Sequence, residues 1–199
     1  HSEVGRQLKF CLKLTGLGMI AFGVAVLEFA PLLFDVVLQG KYSSGLAVLP
    51  WTLAGCVWFG IYLVAQNYLW CTEKTRLATL PLAIGLIVNI VLNLLLLPHW
   101  GLVGAVVATG TSTLICLIAI LLLSARHGMV LDRGLWLIAV APVGLATGQA
   151  TAVGALLVPL STPLIFSNDE WAQLRKLLAD TATKIRPFLP QRLSQTDPT

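Results

Sequence analysis

Residues 77–125 read LATLPLAIGLIVNIVLNLLLLPHWGLVGAVVATGTSTLICLIAILLLSA, without one Asp, Glu, Lys or Arg. A helix needs about 20 apolar residues to cross roughly 30 Å of hydrocarbon. This stretch has room for two such helices, parted by Pro98-His99-Trp100-Gly101. Proline lacks the N–H that would continue a helix. The expected spans are therefore residues 78–97 and 102–125. Their apolar residues show no single face, because a helix among lipids and neighbours can be apolar all round.

Working outward, residues 10–34 and 46–70 form two further apolar runs of spanning length, and a polar turn at 72–76 leads into the third. The whole chain of 199 residues is 57% hydrophobic and 11% charged, with a mean hydropathy of +0.85. Soluble domains carry about 25% charged residues. Too little polar surface remains to face water, so lipid must be the main solvent. The fold class is all-α: a polytopic transmembrane helical bundle. Membrane lipid is its surroundings, and the net charge of +4 reads as loop cations, not as a nucleic-acid surface.

The stretch 135–166 reads in two ways. It is one long span to about Leu160, or two short spans turning near residues 148–151. Gly, Gln and Thr cluster there, and Pro142, Pro159 and Pro163 interrupt helical regularity. Loop charge separates the two readings. Arg6, Lys9 and Lys13 flank the first span, Lys41 alone follows it, and Lys74 and Arg76 follow the second. The turn at 98–101 has no cation, and Arg126 and Arg133 come next. This alternation is the positive-inside pattern and places His1, the Lys74 loop and the Arg126 loop in the cytoplasm. Five more cations in the tail (Arg175, Lys176, Lys184, Arg186, Arg192) stay inside only if 135–166 crosses twice. Six spans are thus favoured over five, although two spans in that stretch are short. Trp51 and Trp100 fall at outer ends and Trp70 and Trp136 at inner ends, as in an aromatic belt.

Two parts are expected: a bundle over residues 1–166, and a cytoplasmic amphipathic helix with a disordered tail over 167–199. Ser167 or Asn168 can cap that helix, Asp169 and Glu170 suit its positive end, and Trp171, Leu174, Leu178 and Ile185 recur along one face. The chain opens on His1 and a polar basic stretch and reads as the C-terminal part of a longer protein. Cys11, Cys56, Cys71 and Cys116 are scattered singly and suit small apolar positions better than a metal site or disulfides.

No P-loop, nucleophile elbow or zinc-protease motif is present, so no catalytic residue, metal or cofactor is expected and the chain does not read as an enzyme. What remains is polar residues within apolar spans, which tend to face a cavity or another helix. Glu28 can face a cavity and bind a cation or proton, or reach outer headgroup water. Lys13 can bind an anionic phosphate, or snorkel to the inner surface. Asn89 and Asn93 lie four apart on one helix face, with Gly85 on the same line. Their amides can bond sugar hydroxyls or join helices. Gln66 and Asn67 end the second span, either at an inner gate or among headgroups. Thr109–Thr113 form a small polar patch that can pack helices closely or touch substrate, and Gly104 and Ala108, and Gly144 and Gly148, have the small-residue spacing of close packing.

Three motifs occur in order: the YLVAQNYLWCTEKTR segment of residues 62–76, then Gly85-x-x-x-Asn89-x-x-x-Asn93, then the Pro98-His-Trp-Gly-Leu-Val-Gly-Ala turn. With the outer loop Gln39-Gly-Lys-Tyr-Ser, residues 10–133 resemble the C-terminal half of bacterial polysaccharide biosynthesis proteins. These are flippases for undecaprenyl-linked oligosaccharides, in the superfamily that also holds multidrug exporters. After Leu135 the sequence departs from that family, which has two fuller spans there. The resemblance implies two pseudo-symmetric bundles around a cavity, with this chain supplying most of the second. It implies alternating access in the bacterial inner membrane. The lipid-linked oligosaccharide, the N-terminal half of the same transporter, and glycosyltransferases or a polymerase are its implied partners. Two other readings stand beside it: a multidrug or cation antiporter of the same superfamily, for which Glu28 is the lone carboxylate within a span, and a non-transporting scaffold of a polysaccharide synthase.

Overall fold

The computed structural model describes residues 2–37, 39, 43–161, 165–166, 170–172 and 174–175. All regular structure among them is helical. Helix α1 (Ser2–Leu32) passes into a π-helical turn, Leu33–Val37. Helices α2 (Ser43–Ala65), α3 (Asn67–Cys71), α4 (Thr75–Arg126), α5 (Arg133–Val140), α6 (Pro142–Thr147) and α7 (Gln149–Ser161) follow. Three helical stretches are long and apolar enough to cross a membrane: Val4–Leu32, Gly45–Cys71 and Thr75–Arg126.

The third is 52 residues long, which would be about 78 Å if straight, far more than a bilayer's hydrocarbon. It is not straight. Gly101 adopts φ 55° and ψ −131°, a conformation essentially closed to side chains. There the helix folds back, so that residues 75–100 form one arm and 102–126 an antiparallel second. Three sets of facing residues fix the register: Gly85 against Cys116, Asn89 against Ser112, and Gly104 against Leu96. The arms approach so closely at Gly85 and Gly104 that a Cβ would collide with the Cys116 side chain or with the Leu96 backbone. The Cys116 thiol donates to the Pro81 carbonyl at 3.3 Å. The arms cover the two helical stretches expected from the sequence, 78–97 and 102–125, and the helix persists through Pro98 to the glycine.

Helix α2 lies antiparallel to α1: Gly60 meets the Met19 sulfur, Gly16 meets Ile61, and Gly45 meets Phe34. It runs alongside the second arm of α4, where a Cβ added to Gly55 would lie 3.5 Å from the Gly110 Cα. Trp58, Ile61, Leu117, Ile120, Leu121, Leu135 and Ile138 are fully buried where α1, α2, this arm and α5 converge. The first arm is different: Leu86, Ile87, Ile90, Leu94 and Leu95 are all exposed. So apolar an exposed surface is what lipid would cover.

Residues 133–161 form a second, shorter hairpin. It turns at Gly148, whose φ of 133° suits only glycine. A Cβ on Gly144 would collide with Ala155 and Thr151, so α6 and α7 pack backbone to backbone. Ile165 returns to lie against Gly134. The chain thus comes back to the end at which it entered. The expectation of one long span through this region is not met. Residues 133–147 measure about 22 Å and α7 about 20 Å, each less than the hydrocarbon thickness. Gly23 of α1 sits level with Leu145, and the turn comes three residues on. The hairpin tip therefore falls about 9 Å short of the end of α1.

Two compact units divide the chain, His1–Ile165 and Phe166–Thr199. In the second, residues 170–172 and 174–175 are helical. Phe166 and Trp171 pack edge to face with centroids 5.4 Å apart. Most of the expected surface helix and the expected disordered tail lie outside the described residues.

Candidate functional site

Between the arms of α4 a polar ladder runs through otherwise apolar surroundings. The Thr109 hydroxyl donates to the Ala105 carbonyl at 3.0 Å, and the Ser112 hydroxyl donates to the Thr109 carbonyl at 2.8 Å. Each hydroxyl has one proton, so both oxygens can only accept from elsewhere. Asn89 Nδ2 donates to both, at 3.3 Å to Thr109 Oγ1 and 3.1 Å to Ser112 Oγ. That fixes the orientation of the Asn89 amide and leaves its Oδ1 facing Asn93. Asn93 Nδ2 donates to Asn89 Oδ1 at 3.1 Å and to the Asn89 carbonyl at 3.0 Å. Of the two expected roles for the pair, helix joining is the one Asn89 performs. The Thr109–Thr113 patch takes part in that packing, with Thr113 bonding back to the Thr109 carbonyl.

Three concavities follow this ladder along one face. The first, about 470 Å³, lies between α2 and the second arm of α4, lined by Trp51, Cys56, Phe59, Thr109 and Thr113 among others. The next, about 200 Å³, has Phe59 and Tyr62 of α2 on one wall and Leu82, Leu86 and Asn89 on the other, over Ser112, Thr113 and Cys116. The third, about 310 Å³, is lined by Asn89, Ile90, Asn93, Leu94, Leu97 and Pro98. Thr113 is shared by the first two and Asn89 by the last two. The result is a groove with apolar walls and a line of amides and hydroxyls along its floor.

The remaining sequence-selected residues lie elsewhere. Lys13 is 1% exposed and does not snorkel. Its Nζ lies 2.5 Å from Asp132 Oδ2, a residue the sequence reading passed over. The other oxygen of Asp132 accepts from the Leu135 backbone N–H at 3.0 Å and caps α5. One carboxylate thus ties the start of the short hairpin to α1 and neutralises a buried ammonium. The signal was present: an Asp just ahead of an apolar helical run, and a span lysine in need of a counter-charge. Glu28 is exposed on the outer surface of α1 beside Phe29, apart from the groove. Gln66 sits at the break between α2 and α3. The Asn67 amide bonds back to the Leu63 and Val64 carbonyls, at 3.1 and 3.2 Å. That local bonding ties Asn67 to its own helix.

Lys74 and His127 mark the two ends of α4 and meet where the arms close. Lys74 Nζ lies 3.1 Å from His127 Nδ1. The ammonium has only donors, so Nδ1 accepts and the imidazole proton sits on Nε2. The Tyr68 hydroxyl donates to the His127 carbonyl at 3.2 Å, fastening α3 to the same corner. Arg76 is exposed, and its carbonyl accepts from Thr79 at 2.8 Å. Trp58, also unforeseen, donates its indole N–H to the Ala139 carbonyl at 2.9 Å. This carbonyl lies beside the helix break before Pro142, where proline withdraws a backbone donor. Among the described residues no three His, Cys, Asp or Glu side chains gather as a metal site would require.

No protein-family model matches the chain, and no curated protein or solved structure matches it either.

Proposed function

We propose that this chain is one lobe of a membrane transporter that moves an undecaprenyl-linked oligosaccharide across the bacterial inner membrane for surface polysaccharide or O-antigen synthesis. The observation that carries the reading is the groove. A polar line of Asn89, Asn93, Thr109 and Thr113 lies on a surface otherwise suited to lipid. An amphipathic substrate needs such a path, with hydroxyl-rich parts on the amides and an apolar tail against the walls. The order of motifs in residues 62–104 supports the same reading, and among the described residues the groove lining holds no carboxylate suited to a cationic drug. Glu28, the carboxylate an antiporter would use, stands apart from it.

In this account the two arms of α4 cross separately, giving four crossings with α1 and α2. The short hairpin makes the remaining pair, with the bilayer thinned around it. The Lys74–His127 corner, the hairpin base and the tail then lie on the cytoplasmic side, in keeping with the loop cations. A second lobe supplies the opposite wall, and rocking of one lobe against the other exposes the groove to each side in turn. Deleting the full gene provides the test. Loss of surface polysaccharide with accumulation of the lipid-linked precursor is expected. Normal surface polysaccharide with no accumulated precursor would remove the proposal, and stable association with glycosyltransferases without flipping would favour the scaffold.

A further inference from the structure

We infer that Asn93 is the substrate-recognising residue of the groove, through its Oδ1, and that it selects a neutral hydroxyl donor on an amphipathic molecule. This deepens the transporter reading and rests on it for its biological setting. The two asparagines look equivalent in sequence, but their hydrogen bonds make them unequal. Asn89 gives Nδ2 to Ser112 and Thr109 and Oδ1 to Asn93. It is a positioning residue whose polar atoms are engaged. Asn93 spends only Nδ2, on Asn89. Among the described residues its Oδ1 makes no hydrogen bond, and Asn93 lines the recess at the Pro98 end of the groove.

The ladder also sharpens that oxygen. Asn93 donates to Asn89, Asn89 to Ser112, and Ser112 to the Thr109 carbonyl. All the donors point one way, and a chain of this kind polarises its members, leaving the first acceptor oxygen richer in charge. An oxygen can receive only a donor, so a phosphate oxygen gains nothing from it. The rest of the recess lining is Ile90, Leu94, Leu97 and Pro98 with Asn89, and among the described residues no charged side chain lines it. One amide oxygen compensates poorly for the dehydration of an ammonium ion, whereas it suffices for one hydroxyl. The apolar walls require the rest of the ligand to be greasy. The chemical class is therefore an uncharged, hydroxyl-bearing group of an amphipathic molecule whose apolar part meets the walls.

The experiment places the full chain in nanodiscs with a photoreactive alkyl glucoside, and in parallel with the same molecule fully O-methylated. Labelling of residues 86–98 is read by peptide mass spectrometry. We expect the glucoside to label this segment about two- to tenfold more than the methylated probe, the worth of one net hydrogen bond. Asn93→Leu should erase that preference while melting close to the native chain, and Asn93→Ala serves if the leucine variant fails to fold. Equal labelling by both probes in the native chain would overturn the inference, as would an unchanged preference in the Asn93 variants. Because the readout is binding, its failure is separate from a failure of transport.

Discussion

Removing the charge of Asp132 should destabilise the protein more than removing that of Lys13, and removing both should restore most of the loss. The order follows from burial. Lys13 is 1% exposed, and the Asp132 side chain is 35% exposed. Asp132→Asn keeps an N-cap for α5, since Asn caps as well as Asp does. What it removes is one negatively charged partner of a buried ammonium, and weakening a buried pair from this side costs up to about 3–5 kcal/mol. Lys13→Met leaves the carboxylate as the orphan, but one third of it already meets solvent. Screening lowers its penalty, and about 1–2 kcal/mol is expected. In the double variant no buried charge is stranded, and the apolar methionine suits its surroundings. The loss should fall to about 1 kcal/mol, leaving a coupling of about 3 kcal/mol or more across the cycle. Thermal and denaturant unfolding of the four proteins in nanodiscs would give these values. The reasoning is refuted if Asp132→Asn is milder than Lys13→Met, or if the two losses simply add.

Other consequences follow from the same contacts. Gly101→Ala forces a side chain into a conformation that only glycine adopts, and it should cost about 1–3 kcal/mol. Because φ 55° and ψ −131° mirror the extended region of an L-residue, Gly101→D-Ala by semisynthesis should recover the melting temperature. Trp58→Phe keeps the buried ring but strips the Ala139 carbonyl of its donor. A loss of about 1–3 kcal/mol is expected in denaturant unfolding. Asn89→Leu removes the inter-arm bonds to Ser112 and Thr109. At about 0.6 kcal/mol for each such bond in a membrane, roughly 1 kcal/mol should be lost, measurable as faster protease cleavage near Gly101.

The architecture was legible where length and punctuation speak. Apolar runs of spanning length mark α1, α2 and the two arms of α4, because the hydrocarbon sets a length that composition reveals. Pro98 and Gly101 announce the turn between the arms, and Gly148 announces the shorter one. The four-residue spacing of Asn89 and Asn93 placed them on one face. Which neighbour that face meets was not legible, since helices apolar all round carry no periodic mark of their packing side. Ser112 and Thr109 could be read as a patch, not as acceptors for Asn89. Lys13 was harder still. Its counter-charge lies 119 residues away in what reads as a polar loop, so snorkelling was the natural expectation. The fold instead brings Asp132 to it by starting α5 at the level of the lysine. Gln66 and Asn67 show a different limit: a polar residue at a helix end looks alike whether it lines a gate or bonds to its own backbone.

The most direct test of the account is reconstitution of the full-length transporter in vesicles loaded on one leaflet with an undecaprenyl-linked oligosaccharide, whose sugar is then probed from the other side with an impermeant lectin. The account predicts that the sugar becomes accessible only in vesicles holding the protein, and more slowly with Asn93→Leu. Sugar that stays hidden despite folded protein would contradict it.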